Sequence, residues 1–277
     1  MPALSQSEYW NGKVGEEWVR QADRMDRMLE PVTLAALERL ALQRGERVLD
    51  IGCGAAATTL LVADRVEPDG RVVGVDISAP MLALGRERAR GRRIDLVEAD
   101  AGTGAIAGAP FDAAFSRFGV MFFDEPSAAF ANLRGAVRAG GRLVFVCWRG
   151  FSENAWSSAP LKALAPMLAA PPPPPDPDAP GPFALANPER ISAILAASGW
   201  RDASISPWDG AMRIGGGGDA REAADFLMRI GPCARAVAEQ NLDPSAARAA
   251  LSDYLAAHET PDGVALAGAC WIVSATA

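Results

Sequence analysis

The sequence of 277 residues predicts an α/β fold in which a mostly parallel sheet is covered by helices on both faces. Two observations support this prediction: short apolar runs such as Arg47–Ile51 and Arg71–Asp76 recur along the first half of the chain, and helical patterns fill the intervals between them. Strands that alternate with helices in this way build a parallel sheet, because each helix carries the chain back across it. With 49% hydrophobic residues, the chain can build one large core.

The first half of the chain contains the regular part of this pattern. Leucines recur at helical spacing from Arg27 to Leu42, and Gly45 ends that helix. The elements predicted next are strand Arg47–Ile51, helix Ala56–Val66, strand Arg71–Asp76, helix Pro80–Arg90 behind a Ser78 cap, strand Ile94–Glu98, strand Phe111–Ser116, helix Ser127–Val137 and strand Gly141–Trp148.

After Trp148 the regularity breaks. Prolines at positions 171–175, 177, 180 and 182 favour an extended connection or flap over residues 149–188. The elements predicted beyond it are helix Pro188–Ser198, strand Ala203–Pro207, a loose joint at Gly215–Gly218, helices Ala220–Met228 and Pro244–Ala256, and a last strand Val264–Ser274.

The turn after the first predicted strand points to a nucleoside ligand. Gly52 and Gly54 lack a Cβ atom, so the backbone can turn sharply there and approach a bound molecule closely. The next strand ends in an acid, Asp76. A β-α-β unit with these two features is shaped to hold a nucleoside at the carboxyl ends of its strands.

Asp50 decides which nucleoside the turn favours. A carboxylate beside a phosphate-binding turn would repel the pyrophosphate of a dinucleotide, whereas S-adenosylmethionine carries a sulfonium and an ammonium group. The third glycine of the dinucleotide pattern is also missing, because its position is occupied by Ala57. Both observations favour the methyl donor.

Residues 46–149 resemble the core of a class I S-adenosylmethionine-dependent methyltransferase, and in particular the small-molecule methyltransferases of ubiquinone and menaquinone biosynthesis. The matching segments are Val48–Gly54 with the helix from Ala57, Val72–Asp76 with Ile77 and Ser78, Ile94–Asp100 with Ala101, Phe111–Phe118, and Gly140–Val146. One departure is Ala56, where that family often has a third glycine.

The resemblance implies a Rossmann-like, doubly wound sheet of seven strands with an antiparallel last strand. It implies a helical lead-in or lid at residues 1–45 and a methyltransferase domain at 46–277. Within that domain, 149–188 would be the proline-rich connection, and 219–258 a helical insert that caps the substrate.

The resemblance also assigns roles in binding S-adenosylmethionine, and its product S-adenosylhomocysteine, by position. Asp76 would accept hydrogen bonds from the ribose hydroxyls, and Asp100 with the amide of Ala101 would bind adenine. The full set of implied cofactor-binding residues is Asp50, Gly52, Cys53, Gly54, Thr58, Asp76, Ile77, Met81, Asp100, Ala101, Ser116 and Arg117.

Aromatic residues gather where the cap should lie, which favours an apolar or aromatic methyl acceptor. The candidate substrate residues are Tyr9, Trp10, Trp18, Phe118, Trp148 and Trp156. Each of them could instead be ordinary core. Within the insert, Phe226, Met228 and Tyr254 are predicted to line the acceptor pocket.

Methyl transfer by in-line displacement can rely on alignment alone, because positioning two reactants supplies about 7–11 kcal/mol of barrier reduction. A dedicated base is therefore unnecessary in principle. His258 and Glu153 are the weak candidates for one. For His258 the sequence favours a surface or loop role over that of a catalytic base.

Charge and composition limit the partners. The net charge of −7 disfavours a nucleic-acid substrate, since phosphate backbones are bound by clustered Lys and Arg. No apolar run reaches the roughly 18 residues of a membrane span, and the N-terminus does not resemble a signal peptide, so we expect a cytoplasmic protein. The four cysteines have no metal-ligand spacing, and no metal is expected. The sequence does not indicate an oligomeric state.

Two other functions remain open at this stage. The chain could be a catalytically silent module that binds S-adenosylmethionine, which only the Ala56 departure favours. It could also be a nicotinamide-dependent oxidoreductase, although Asp50 and the missing third glycine disfavour that class.

Overall fold

A computed structural model describes residues 5–173, 176 and 179–277. The chain begins with helix α1 (Gln6–Asn11), which starts in a capping box formed by Ser5 and Glu8. Helix α2 (Lys13–Leu40) follows. It begins well before the predicted Arg27, and Pro31 lies inside it. Its apolar face packs against the sheet, which explains why the leucine pattern was detectable in its second half.

The first half of the fold consists of strands and helices whose bounds lie close to the predicted ones. The elements are β1 (Arg47–Ile51), α3 (Ala57–Val66), β2 (Arg71–Asp76), α4 (Ala79–Arg88), β3 (Ile94–Glu98), β4 (Phe111–Arg117), α5 (Pro126–Ala136) and β5 (Val137–Trp148). Ser78 caps α4 as predicted. Strand β5 begins four residues earlier than predicted, because Val137 pairs with Phe111 across a register shift.

The second half contains more regular structure than predicted. Its elements are α6 (Ala155–Leu164), α7 (Pro188–Ala197), β6 (Arg201–Arg213), α8 (Ala220–Leu227), α9 (Pro232–Glu239), α10 (Pro244–Ala256), β7 (Glu259–Thr260) and β8 (Gly263–Thr276). The prediction of an irregular connection over 149–188 is wrong for α6, which packs between α9, α10 and β8. In the proline-rich part of residues 149–188, Pro174, Pro175 and Pro177 lie outside the described residues.

The strands form one sheet in the order β3-β2-β1-β4-β5-β8-β6, with the two-residue β7 paired to β8 outside this path. Strands β1 to β5 are parallel to one another, whereas β8 is antiparallel to both β5 and β6. The predicted α/β class, the seven-stranded path and the antiparallel last strand are therefore confirmed. Strand order reverses between β1 and β4, which is where open α/β sheets bind ligands.

The glycine run at 215–218 is not the loose joint that its composition predicted. The Nε atoms of Arg24 and Arg27, on α2, donate to the carbonyls of Gly215 and Gly216, each at 3.1 Å. Two guanidinium groups therefore fasten this run to α2. None of the helices in the described ranges is long and apolar enough to cross a membrane.

Candidate functional site

The turn that follows β1 is built so that its own amides point into the protein. The amides of Gly52 and Cys53 donate to the carbonyl of Val75 at 2.9 and 3.1 Å, and the amide of Gly54 donates to the Asp76 carboxylate at 2.8 Å. Gly52 has a φ of +66°, and a Cβ atom there would lie 2.8 Å from Cα of Gly119. The turn therefore requires glycine at position 52. Its three amides already have acceptors within the protein and are not free to bind a phosphate.

Asp76 ends β2 and lies on the wall of the main cavity. One of its oxygens accepts from the Gly54 amide, and the other accepts from the Ser78 amide at 2.8 Å. Burial raises the pKa of Asp76, while these amide hydrogen bonds act in the opposite direction. A carboxylate has about four acceptor sites, so Asp76 keeps acceptor capacity for a ligand with hydroxyl groups.

Asp100 follows β3 and lies at the exposed rim of the same cavity. Its carboxylate accepts from the Gly102 amide at 2.7 Å and from the Thr103 hydroxyl at 2.8 Å. Ala101 also lines the cavity. The predicted cofactor residues that the structure brings to this wall are Gly52, Cys53, Gly54, Thr58, Asp76, Ile77, Met81, Asp100, Ala101 and Arg117.

Asp50 does not line the cavity, contrary to the prediction that it faces the methyl donor. Its side chain is wholly buried beneath the turn, where one oxygen accepts from the hydroxyls of Thr58 and Thr59, each at 2.7 Å. Its other oxygen has no hydrogen-bond partner among the described residues. Burial raises the pKa of Asp50. The carboxylate therefore ties β1 to α3 from behind the wall.

Ser116 also lies behind the wall, whereas Arg117 lies on it. Successive side chains of a strand point to opposite faces, and the Ser116 hydroxyl donates to the carbonyl of Ile51 at 2.8 Å. The Arg117 guanidinium pairs at 2.6 Å with Asp26 on α2, a cavity residue that the sequence did not reveal. Among the described wall residues Arg117 is the single basic side chain, and its charge is already paired.

Ala56, the departure from the family pattern, is buried and has a φ of +65°. This is the left-handed conformation that glycine adopts without strain and that costs an L-residue about 1–2 kcal/mol. Alanine thus keeps the backbone geometry that a glycine would allow.

The cavity has a volume of about 720 Å³, and its second half is aromatic. All six candidate substrate residues line it. The ring of Phe118 stacks on Trp148 with centroids 4.3 Å apart and planes at 12°, and Trp148 contacts Trp156 at 4.9 Å. Phe118 has a φ of +67°, a strained conformation for a bulky residue. The fold therefore accepts strain at the point where β4 meets the aromatic wall.

Asn154 fixes the far end of this aromatic wall. Its amide oxygen accepts from the indole nitrogen of Trp156 at 3.2 Å and from the amide of Ala269 at 2.9 Å. Its amide nitrogen donates to the carbonyls of Arg149, Gly150 and Ala269 at 3.0–3.1 Å. A wholly buried amide with all of these partners holds α6 and Trp156 in one position.

Helix α1 closes the cavity from the N-terminal side. Asn11 donates to the carbonyl of Ile77 at 2.8 Å and accepts from the amide of Ala79 at 2.9 Å, and the Ser78 hydroxyl donates to the carbonyl of Trp10 at 2.9 Å. These bonds join α1 to the loop after β2. Trp10 then meets Trp18 and Phe122 edge to face, with centroids 5.4 and 5.2 Å apart.

Neither weak candidate for a base lies on the cavity wall. Glu153 is exposed, pairs with Arg149 and accepts from the amide of Gly150 at 2.9 Å. His258 is half-buried after α10, with its ring 5.0 Å from that of Tyr254. Both side chains are engaged in local structure. The structure thus places neither residue where it could contact a bound ligand.

The insert contributes to the wall through residues other than those predicted. Ile230, Gly231 and Pro232 line the cavity just before and at the start of α9. By contrast, Phe226 is fully buried beneath the guanidinium of Arg24, and neither Met228 nor Tyr254 is on the wall. Helix α9 was not predicted, and it is what turns residues 230–232 toward the cavity. In the described part of the chain, no cluster of three or more His, Cys, Asp or Glu side chains is arranged to hold a metal ion.

Residues 48–141 match the family described as "Methyltransferase domain". These residues form a methyltransferase domain. The chain is 33% identical over 147 residues to aklanonic acid methyltransferase DauC of Streptomyces sp. (strain C5), covering 52% of this chain and 62% of that protein. It is 36% identical over 108 residues to demethylmenaquinone methyltransferase of Thermus thermophilus, covering 38% and 49%. The chain thus spans less than two thirds of either relative.

Solved structures share the fold of the methyltransferase domain and its surroundings. Phosphoethanolamine N-methyltransferase 2 of Haemonchus contortus, in complex with S-adenosyl-L-methionine, superposes with a TM-score of 0.59 at 15% identity, covering 99% of this chain and 60% of that chain. The [4+2]-cyclase SpnF superposes with a TM-score of 0.56 at 18% identity, covering 99% and 98%. At these identities the likeness establishes the fold alone.

Proposed function

We propose that this chain binds S-adenosylmethionine and transfers its methyl group to a small apolar or aromatic metabolite by in-line displacement. The observation that carries the proposal is a single cavity in which the turn at Gly52–Gly54, Asp76 and Asp100 adjoin a wall of aromatic rings. The first half fits a nucleoside and the second fits an apolar acceptor. The two relatives described above are both named as methyltransferases of small molecules.

The residues of the first half fit the cofactor and not a dinucleotide. The turn amides are bonded to Val75 and Asp76, so they are not free to bind a pyrophosphate. Asp76 would accept from the ribose hydroxyls, and Asp100 and Ala101 would hold the adenine, which would lie between Ile77 and Met81. Arg117, held by Asp26, would border the methionine end. When bound, S-adenosylmethionine would supply a methyl group activated by its sulfonium.

The second half of the cavity favours a neutral and flat acceptor. Its rings come from the N-terminal helices, from Phe118 and Phe122, and from Trp148 and Trp156. The single basic side chain among the described wall residues is paired with Asp26, so an anionic acceptor would find no free cation. Aromatic faces would also stabilise the sulfonium by roughly 0.5–2 kcal/mol.

We propose that alignment dominates catalysis, because both weak candidates for a base lie away from the wall. The stacked pair of Phe118 and Trp148 would orient a flat acceptor, and Asn154 would keep Trp156 from moving. Helix α1 would act as the lid that excludes water, since Asn11 and Ser78 fasten it over the loop after β2. Positioning of this kind accounts for about 7–11 kcal/mol of a barrier.

Calorimetry with S-adenosylmethionine, S-adenosylhomocysteine and NAD tests the cofactor, and a methyl-transfer screen with phenols, quinols, amines and carboxylic acids tests the chemistry. We expect both S-adenosyl compounds to bind and phenols or quinols to be methylated. His258→Ala and Glu153→Gln should retain full turnover. Binding of NAD alone would exclude the proposal. Cofactor binding without any turnover would instead favour the silent module.

A further inference from the structure

Ser157 is a buried residue of the cavity wall whose hydroxyl has no partner. It lies in the first turn of α6, is 2% exposed and lines the same cavity as Trp156. Within the described chain no hydrogen-bond partner lies within reach of its Oγ atom. A buried polar group without a partner costs about 1–3 kcal/mol, so such groups persist mainly where something else satisfies them.

The neighbouring residues show that the lack of a partner is particular to Ser157. Asn154, three residues earlier, has partners for both its amide oxygen and its amide nitrogen. Ser158, one residue later, donates its hydroxyl to the carbonyl of Asn154 at 3.1 Å. That carbonyl also accepts from the amides of Ser157 and Ser158 at 3.0 and 2.9 Å. It therefore has no capacity left for the Ser157 hydroxyl.

The surroundings of Ser157 restrict what could satisfy it. Trp156, the next residue before Ser157, contacts Trp148 with ring centroids 4.9 Å apart, and the apolar segment from Ile230 to Pro232 lines the same cavity. Asn154 keeps the start of α6 fixed. A serine hydroxyl donates one hydrogen bond and accepts others. Among the described wall residues the single basic side chain, Arg117, is already paired with Asp26, so an anionic group brought here would be desolvated without a free counter-ion.

We propose that Ser157 is a specificity-determining residue that binds a neutral oxygen, a hydroxyl or carbonyl group, on a flat apolar acceptor. This inference rests on the proposed function and narrows its acceptor class, because a pure hydrocarbon would leave the hydroxyl unsatisfied. The bond forms only when acceptor is present. In the ligand-free protein the unsatisfied hydroxyl lowers the free energy of unfolding.

Equilibrium dialysis with indan-1-one and indane tests this, because the two bicyclic probes differ by one carbonyl oxygen. The dialysis is run on the protein alone and on the protein saturated with S-adenosylhomocysteine. We expect the wild type to bind indan-1-one about three- to tenfold more tightly than indane, as one buried hydrogen bond allows. Ser157→Ala should abolish that difference, and Ser158→Ala, the matched control, should preserve it.

Thermal unfolding without ligand provides the readout that separates binding from a structural role. Ser157→Ala should raise the Tm by about 2–4 °C, because it removes an unsatisfied buried hydroxyl, and Ser158→Ala should lower it, because it removes a satisfied one. Equal affinity of the wild type for the two probes, absence of binding of both, a preference that survives Ser157→Ala, or a lower Tm for that variant would each overturn the inference. If the cofactor does not bind, the dialysis of the protein alone can still be interpreted. The experiment therefore distinguishes failure of this inference from failure of the proposed function.

Discussion

The two halves of the cavity are built by different means. The cofactor half consists of short loops that follow three neighbouring parallel strands. Its key side chain, Asp76, is held by the main-chain amides of Ser78, two residues away, and of Gly54, 22 residues away within the same β-α-β unit. The acceptor half is assembled from helices α1, α2 and α6, the end of β5, and segments around residues 118–123 and 230–232. Its side chains are held by partners far away in sequence, as Asn154 and Ala269 are 115 residues apart.

This difference explains which half of the site can be predicted from the sequence. Hydrogen bonds made within one β-α-β unit leave a motif that can be recognised in the sequence. Packing between distant segments leaves only composition, because any large ring that fits will serve. The cofactor half should therefore be intolerant of single substitutions, and the acceptor half should lose turnover without losing cofactor affinity.

The largest effect is expected from Asp76→Ala. This variant loses the acceptor for the ribose hydroxyls and frees the amides of Gly54 and Ser78, so the affinity for S-adenosylhomocysteine should fall about a hundredfold. Calorimetry measures the change. Asp95→Ala is the control, since Asp95 is an exposed acid of β3 paired with Arg71 at 2.6 Å. An unchanged affinity in Asp76→Ala would contradict the assignment of this half.

Trp148→Leu tests the acceptor half. It removes the stacking on Phe118 and the contact with Trp156, so turnover of an acceptor found in the screen should fall about ten- to thirtyfold. Cofactor affinity should stay within about twofold, because Trp148 has no role in the turn after β1.

Trp200→Leu is the matched control for this variant. Trp200 is equally buried, donates to the carbonyl of Phe130 at 2.9 Å and is not on the cavity wall. The two variants should lose comparable stability, but only Trp148→Leu should lose turnover. Parallel losses of cofactor affinity and turnover in Trp148→Leu would mean that the two halves are not separable.

Asn11→Ala tests the border between the halves. Its loss breaks the bonds from α1 to Ile77 and Ala79, so the lid should open more often and the affinity for S-adenosylhomocysteine should fall about fivefold. Limited proteolysis before Lys13 should become faster. Arg20→Ala, an exposed change on α2, should alter neither measurement. Unchanged proteolysis in Asn11→Ala would show that these bonds do not hold the lid.

Asp50→Asn tests the carboxylate behind the wall. Burial raises the pKa of Asp50 above its ordinary value of 3.8, so the folded protein holds this proton more tightly than the unfolded chain. Its contribution to stability is therefore fully present below pH 3.8 and is lost as the pH rises through the folded pKa.

The asparagine variant has no titrating carboxyl group at this position, so it does not lose stability in this way as the pH rises. Its free energy of unfolding should exceed that of the wild type by about 1 kcal/mol at pH 7, and the difference should shrink toward acidic pH. Urea denaturation across pH 3.5 to 7 measures both quantities. Parallel pH profiles for the two proteins would refute the assigned burial effect.

The smallest expected effect is that of Ala56→Gly. Glycine relieves the left-handed strain of about 1–2 kcal/mol but adds 0.5–1 kcal/mol of chain entropy, so we expect a net gain of about 0.5 kcal/mol. Ala57→Gly, one residue later at the start of α3, should lose about 0.5–1 kcal/mol in the same urea measurement. A loss of stability in Ala56→Gly would show that alanine is not strained there.

Much of the fold could be predicted because its signals are local. Strands β1, β2 and β3 have the predicted bounds, since each is an apolar run closed by a polar turn. Helices α6 and α9 could not be predicted in this way. Pro160 lies inside α6, which acquires its helical state by packing against distant elements, and α9 has only eight residues.

The same difference between local and long-range signals explains which site residues could be predicted. Asp76 and Asp100 were identifiable because the ends of parallel strands meet at one edge of the sheet. Asp50 and Ser116 were assigned to the wall from their positions near the same edge, but their side chains turn toward α3 and Ile51. Side-chain direction at a strand end depends on the next element, which local sequence does not encode. Asp26 and Ser157 gave no signal, because a single polar residue in a helix is usually at the surface.

The contacts along helix α2 restrict where the chain can tolerate an insertion. Its 28 residues span about 42 Å, and along that length it presents Met25, Asp26 and Leu29 to the cavity while Arg24 and Arg27 fasten the glycine run. A one-residue insertion between Leu29 and Leu40 would rotate everything before it by about 100°. All of these contacts would be lost together, so we expect the protein to tolerate a substitution at an exposed position of α2 much better than a change in the length of this helix.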